Sequence, residues 1–359
     1  MRFGLIGCGW IVEREHVPAM LQADGVEVVA VADISPERAR LVGALAGVDE
    51  RDCHGDPFAL LERDDVDVVS IATPPNARVE LVSRAAASGK HVVCEKPLAL
   101  TLAQADEMID VCRRAGVHFT VYHNYLYFPE TKLARELIGS GAIGAVVATE
   151  ISGHGARPWA GTEAYQPGWR ERVADAGGGA MMDVAVHAVY LTEAYHGRQV
   201  DSISASVRYR EGVDVAGYCR LTLGAGVGLI NIAWGHGGAA LRIIGTEGHI
   251  EFAFDEHMGY YGAPARAVRC TSESGPTRTW YPELGRMFFR APLFEDLAAA
   301  LAGNTGAYLV TAADGRRAIE TIFAGYRAAA TNTQVALPLA VDDLYTRGLP
   351  ALEGAGVSA

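Results

Sequence analysis

Five short apolar runs dominate the first 120 residues: Phe3 to Ile6, Glu27 to Ala32, Val66 to Ala72, His91 to Cys94 and Phe119 to Tyr122. Between them lie amphipathic stretches, among them Pro36 to Leu45, Asn76 to Ser88 and Leu102 to Ala115. The runs lack polar–apolar alternation, as expected of strands buried on both faces of a parallel sheet. Strands alternating with helices through short connections predict a doubly wound α/β domain. After about residue 145 the pattern changes. Ser202 to Arg210 alternates, with Ile203, Ala205, Val207 and Tyr209 on one face; Gly228 to Trp234 does the same with Ile230, Ile232 and Trp234. Gly248 to Phe254 follows a Gly-Thr-Glu-Gly turn. These are half-buried strands of an antiparallel sheet. The expected organisation is an α/β domain over 1–122, then an α+β domain with an open, mostly antiparallel sheet over 123–345. Thr311 to Ala330 reads as a core-packing helix, with Ala318, Ile319, Ile322, Phe323 and Tyr326 on one side. The tail after Pro350 reads as frayed.

The 359 residues are 50% hydrophobic and 21% charged, which supports a packed core and excludes intrinsic disorder. A net charge of −12 argues against nucleic acid as a partner. No run approaches the roughly 20 apolar residues of a membrane span. The opening Met1 to Trp10 is strand-like, without the apolar region of a signal peptide, so a cytoplasmic protein is expected. Cys8, Cys53, Cys94, Cys112, Cys219 and Cys270 form no CxxC pair, which argues against a metal cluster and for reduced thiols.

The first strand runs into Gly7-Cys8-Gly9-Trp10-Ile11-Val12 before a helix. Gly7 permits a tight turn and Gly9 lets backbone approach a pyrophosphate, which then sits on the helix N-terminus. The third glycine of the usual fingerprint is absent; Val12 stands there. Asp33 ends the second strand, 26 residues after Gly7. A carboxylate there accepts the ribose hydroxyls of adenosine and repels a 2′-phosphate, while Ile34 offers no compensating cation; NAD is expected over NADP. Thr73-Pro74-Pro75-Asn76 ends the third apolar run, where a capping turn and a cofactor contact both fit.

Cys94-Glu95-Lys96-Pro97 follows the fourth run. A charged pair at a strand's carboxyl end is costly to place. Lys96 can polarise a carbonyl or stabilise a developing alkoxide, with Pro97 fixing its aim, although a surface ion pair also fits. Gly177-Gly178-Gly179, a flexible or closely approached loop, leads into a helix carrying Asp183 and His187 at i and i+4. Both a surface pair and a histidine base with an assisting carboxylate fit that spacing. No third ligand accompanies them, so no metal is expected. Arg157, Trp159, Tyr165, Trp169 and Arg170 precede the glycines; aromatic faces and guanidinium forks suit a polyhydroxylated ligand, and an ordinary loop with buried anchors fits equally.

Taken together these residues resemble the Gfo/Idh/MocA family of glucose–fructose oxidoreductase and inositol dehydrogenase, from Phe3 to about Leu339. The resemblance is carried by Gly-Cys-Gly at 7–9, Ala-Thr-Pro-Pro-Asn at 72–76, residues 89–101 around Glu95-Lys96-Pro97, Asn124 to Pro129, Trp169-Arg170, Gly177 to His187 and Gly-Thr-Glu-Gly at 245–248. It implies a Rossmann domain followed by an open-sheet α+β domain, and homodimers or homotetramers. It implies NAD(P)-dependent oxidation or reduction of a sugar or cyclitol. Lys96 and His187 are then catalytic with Asp183 assisting. Gly7, Gly9, Trp10, Ile11, Asp33, Thr73, Pro74, Asn76, Glu95 and Lys96 face the cofactor. Lys96, Asn124, Tyr125, Arg157, Trp169, Arg170, Asp183 and His187 face the substrate. Three positions depart from the family pattern: Arg78 where His is frequent, Ala185 where Gly is frequent, and Tyr125 where Arg often follows Asn124. A ketoreductase of nucleotide-linked sugars, a non-catalytic NAD-binding regulator and an NAD-dependent glycoside hydrolase remain as alternatives.

Overall fold

A computed structural model describes residues 1–154, 168–235, 238–254, 265–273, 275–282, 291–304 and 310–349. The chain forms two compact units, Met1–Tyr127 with Arg286–Arg316, and Phe128–Gly285 with Arg317–Ala359.

The first unit is built on six parallel strands: β1 (Arg2–Ile6), β2 (Glu27–Ala32), β3 (Cys53–His54), β4 (Val68–Ile71), β5 (His91–Cys94) and β6 (Phe119–Val121). Their order is β3-β2-β1-β4-β5-β6. All pairings are parallel, so each strand must return through a crossover. The order reverses between β1 and β4, which opens a crevice at their carboxyl ends, where ligands bind in sheets of this class. Phe3, Leu5, Val68, Val69 and Val93 are fully buried, as the unalternating runs predicted. β4 is shorter than expected, and β3 is too short to leave a periodic signal. The helix Pro36–Ala46 starts on Ser35, whose hydroxyl accepts the Arg38 N–H at 3.3 Å, and ends at left-handed Gly47. The helix Leu102–Ala115 starts on Thr101 and ends at left-handed Gly116. Pro75, which lacks an N–H, puts a single 3₁₀ turn (Pro75–Ala77) ahead of the helix Arg78–Ala87.

The second unit carries a nine-stranded sheet: β7 (Val146–His154), β8 (Ser202–Arg210), β9 (Val213–Leu223), β10 (Gly226–Ala233), β11 (Gly238–Gly245), β12 (Gly248–Ala253), β13 (Ala267–Ser272), β14 (Arg278–Trp280) and β15 (Val335–Ala336). The order is β14-β13-β12-β11-β7-β10-β9-β8-β15, antiparallel except that β10 runs parallel to β7. Ile151, Ile203, Leu221, Ile230, Ile232, Ile243 and Ile250 point to the buried face. The other face is polar, with Arg242 facing Glu251 across β11 and β12 at 3.3 Å. Ala318, Ile319, Ile322, Phe323 and Tyr326 of the helix Ala312–Thr331 are all buried, as their spacing predicted. No helix of the described residues is long and apolar enough to cross a membrane. The tail from Pro350 lies outside the described residues.

A buried carboxyl, Glu130, starts the helix Pro129–Gly139 and accepts the Ala265 N–H at 2.9 Å through Oε1. Its Oε2 has no partner among the described residues. Burial pushes this carboxyl up to about 7. The folded state therefore favours the protonated acid, and its contribution is complete below the unfolded value near 4.5 and lost as pH rises through about 7. Over that window we expect the unit to lose about 3 kcal/mol. Glu130→Gln should remove this slope, and melts between pH 5 and 8 would show it; an unchanged slope contradicts the assignment.

Candidate active site

The chain leaves β1 through Gly7, whose N–H donates to the Ala32 carbonyl at 2.9 Å. Gly7 has φ +92°, and a Cβ there would lie 2.9 Å from the Ala72 carbonyl carbon at the end of β4. Only glycine combines that left-handed backbone with that approach. The Val12 and Glu13 N–H groups donate to Gly9 at 3.1 Å, and the helix begins with a π turn (Val12–His16) before Val17–Met20. Asp33 sits beside this loop: Oδ2 accepts the Cys8 N–H at 2.6 Å and Oδ1 the Ser35 N–H at 2.8 Å. Ile34 offers no cation there, but the helix that follows does. Arg38 donates to the Cys8 carbonyl at 2.9 Å and to Glu13 at 2.7 Å. On the other side of the loop the Thr73 hydroxyl is buried without a partner among the described residues. A glycine loop tight against β4, an oriented carboxylate at the end of β2 and an orphaned hydroxyl at the end of β4 fit a dinucleotide across the switch point.

Beside it, the Glu95-Lys96-Pro97 turn is held from within. Arg78, fully buried, donates Nε and Nη2 to the Thr73 carbonyl at 3.0 and 2.7 Å. Its Nη1 donates to the Glu95 and Pro97 carbonyls. Glu95, expected at the cofactor, is itself buried. Its Oε2 accepts the Lys96 N–H at 3.0 Å, and Oε1 meets His16 Nε2 at 2.9 Å. His16 is fully buried, and its Nδ1 has no partner among the described residues. A carboxylate oxygen accepts, so Nε2 is the donor to Glu95. The ring packs on Tyr122 with centroids 4.4 Å apart. His16 was legible only as a histidine within an apolar helical stretch, which says nothing about its partner.

In the second unit, Gly177 closes a short helix (Val173–Ala176) with φ +78°. A Cβ on Gly178 would strike the Tyr326 hydroxyl, and one on Gly179 the Asp214 carbonyl. The glycines are thus a closely approached loop. Asp214 of β9 accepts the Gly179 N–H at 2.5 Å, the Met181 N–H at 2.7 Å and the Tyr326 O–H at 2.8 Å. It caps, from another element, the first turn of the helix that follows. Burial pushes this carboxyl up, and the three donors pull it back. The helix opens with a π turn (Met181–Ala185) that carries Asp183, then continues as Val186–His196 with His187 in its first turn. The fully buried Ala185 lies in the π turn. His187 is buried and its Nδ1 pairs with Tyr190 Oη at 2.6 Å. Asp183 faces Arg170 at 3.7 Å, and Arg170 lies over the Trp169 ring at 4.4 Å. Tyr190 was not anticipated; its i,i+3 spacing from His187 was the available signal.

Asn124 and Tyr125, in a 3₁₀ turn (Asn124–Tyr127) of the first unit, are both buried. Asn124 Nδ2 has no partner among the described residues. Arg157, Trp159 and Tyr165 lie outside the described residues. No group of three metal-ligating side chains occurs among the described residues.

Residues 1–123 match the family model described as an oxidoreductase family with an NAD-binding Rossmann fold, and 131–251 match the GFO/IDH/MocA C-terminal domain. The chain belongs to the GFO/IDH/MocA oxidoreductase family. It is 31% identical over 256 residues to a dTDP-3,4-didehydro-2,6-dideoxy-alpha-D-glucose 3-reductase from Streptomyces violaceoruber, covering 70% of this chain and 72% of that one. It is 39% identical over 140 residues to D-apiose dehydrogenase from Paraburkholderia graminis, covering 39% and 36%. Its alignments span between about a third and two thirds of the length of several curated relatives. The fold matches aldose-aldose oxidoreductase from Caulobacter crescentus with TM-score 0.83 at 22% identity, covering 94% of this chain and 99% of that one.

In this member of the GFO/IDH/MocA family the glycine loop before the His187 helix is a packing device. Gly179→Ala should cost about 1–3 kcal/mol through overpacking. Asp214→Asn leaves at least one buried donor unmet and should cost a similar amount. Thermal melts check both; a Gly179→Ala protein as stable as the wild type contradicts the close approach.

Proposed function

We propose that the protein is an NAD-dependent dehydrogenase or reductase acting on a secondary alcohol or ketone of a sugar or cyclitol. One observation carries the reading: a GFO/IDH/MocA chain keeps both a braced Lys96 turn and the His187–Tyr190 pair. The activities named for D-apiose dehydrogenase and the dTDP-sugar 3-reductase support it. Gly7, Gly9, Trp10 and Ile11 would hold the pyrophosphate, Asp33 the adenosine ribose, and Thr73, Pro74 and Asn76 the nicotinamide side. NAD, when bound, accepts or supplies the hydride. His187, paired with Tyr190 through Nδ1, would take the hydroxyl proton during oxidation and return it during reduction. Lys96 would hold the charge that develops on a reacting oxygen. Asp183, Trp169, Arg170, Arg157, Asn124 and Tyr125 would orient the hydroxyl-rich substrate. Intact Lys96, Asp183 and His187 speak against a regulator without turnover. The dTDP-sugar reductase, matched over 72% of its length, favours a nucleotide-linked ketosugar as the second reading.

We also propose a cytoplasmic homodimer or homotetramer joined through the open sheet of the second unit. All six cysteines are unpaired, which suits a reducing compartment. A light-scattering mass of one chain at micromolar concentration would overturn the assembly.

Following NADH fluorescence across inositols, inososes, hexoses and nucleotide sugars tests the main reading against the second. On the substrate found, His187→Ala should lose on the order of 10²–10⁴ in rate. Lys96→Ala should lose about 10²–10³. Both should still bind NADH. If His187→Ala keeps most of its turnover at neutral pH, the histidine is structural. NAD should exceed NADP in kcat/KM, with Asp33→Ala narrowing the gap; a wild type that prefers NADP removes Asp33 from the ribose.

A further inference from the structure

We propose that Arg78 and His16 are positioning residues for Lys96, acting through the turn that carries it; this rests on the reading of Lys96 as the group beside the reacting oxygen. A lysine ammonium is a compact charge on a flexible stem, so its aim depends on how firmly its backbone is held. Here the backbone is gripped on both sides. Arg78 Nη1 takes the carbonyls of Glu95 and Pro97, the residues flanking Lys96. The Lys96 N–H is taken by Glu95 Oε2, and Glu95 Oε1 is taken by His16.

The two braces reach the turn from different elements. Arg78 opens the helix after β4 and also grips the Thr73 carbonyl, so one planar group fixes Thr73 and the lysine turn relative to each other. His16 ends the π turn that follows the glycine loop, with its ring in a three-ring cluster, 4.4 Å from Tyr122 and 6.1 Å from Phe294. Through Glu95 it links the helix next to the pyrophosphate loop with the lysine amide. Burying a guanidinium and an imidazole is costly, and an apolar pair of similar volume would fill the same core. What an apolar pair could not supply is the directed bonds, from Arg78 to the carbonyls of Thr73, Glu95 and Pro97 and from His16 to the Glu95 carboxylate.

The test compares Arg78→Lys, His16→Phe and a control, Val82→Ala, which removes buried volume from the Arg78 helix without touching the turn. Arg78→Lys keeps the charge and loses the fork; His16→Phe keeps the aromatic slot and loses the bond to Glu95. Lys96 acylation by acetic anhydride is followed by mass spectrometry with and without NADH, beside the NADH Kd from fluorescence and the thermal midpoint. NADH at about 100 times its Kd occupies nearly every site and should slow Lys96 acylation in the wild type by at least about tenfold. Both brace variants should bind NADH nearly as well yet lose most of that protection. On the panel substrate their kcat should fall on the order of 10–10²-fold, with KM changing less, as expected of a misplaced catalytic group. Val82→Ala should melt earlier and keep the protection. If both brace variants protect Lys96 as the wild type does, the proposal is overturned. If His16→Phe alone folds, its protection decides. If NADH leaves wild-type Lys96 unprotected, the reading of Lys96 falls, and the proposal with it.

Discussion

Where neighbouring parallel strands end, their last carbonyls point out of the sheet, and each one buried without a donor costs about as much as a lost hydrogen bond. In the first unit Arg78 meets that demand for β4 and β5 together, joining the Thr73 carbonyl after one strand to the Glu95 and Pro97 carbonyls after the next. The ligand-facing rim of the sheet depends on this buried fork. Lys96 is carried on the turn it closes, Thr73 presents from the strand end it holds a hydroxyl that has no partner among the described residues, and Gly7 packs against that same strand end.

The second unit solves a related problem with a carboxylate. A helix that begins directly after three glycines has N–H groups to satisfy and no side chain in its own loop to satisfy them. Asp214 supplies the acceptor from β9, with Tyr326 as its third donor. The loop must lie against Asp214 and Tyr326 for this to work, which is why Gly178 and Gly179 cannot carry a Cβ. The start of the helix is fixed by that contact, and with it the positions of Asp183 and His187.

Elements with a clean period or a cap were legible. β2, β5, β8 and the helix Leu102–Ala115 have the bounds their residues predicted, because apolar runs, the alternation of β8 and a Thr cap mark them locally. β9 was hidden because its inward positions include Asp214 and Gly217, so its polar–apolar alternation is broken by the residue that caps a distant helix. β7 was hidden for a similar reason: Thr149 and Gly153 face inward beside Ile151. Lys96, Asp183 and His187 stood out because motifs carry them. Arg78, His16 and Asp214 did not. Their roles exist only through partners 5 to 112 residues away, and nothing local distinguishes a buried arginine that grips carbonyls from one on a helix surface. Arg78 was visible only as a departure from the family pattern, and the structure gives that departure its content.

The most direct test is a crystal structure of the protein with NADH. The adenosine ribose hydroxyls should donate to the Asp33 carboxylate, the pyrophosphate should lie on the Gly7–Gly9 loop, and the nicotinamide should reach the Glu95–Lys96–Pro97 turn with Arg78 still closing it. A dinucleotide bound away from Asp33, or a Lys96 turn that holds its place in the complex with Arg78 withdrawn from its carbonyls, would contradict this account of the site.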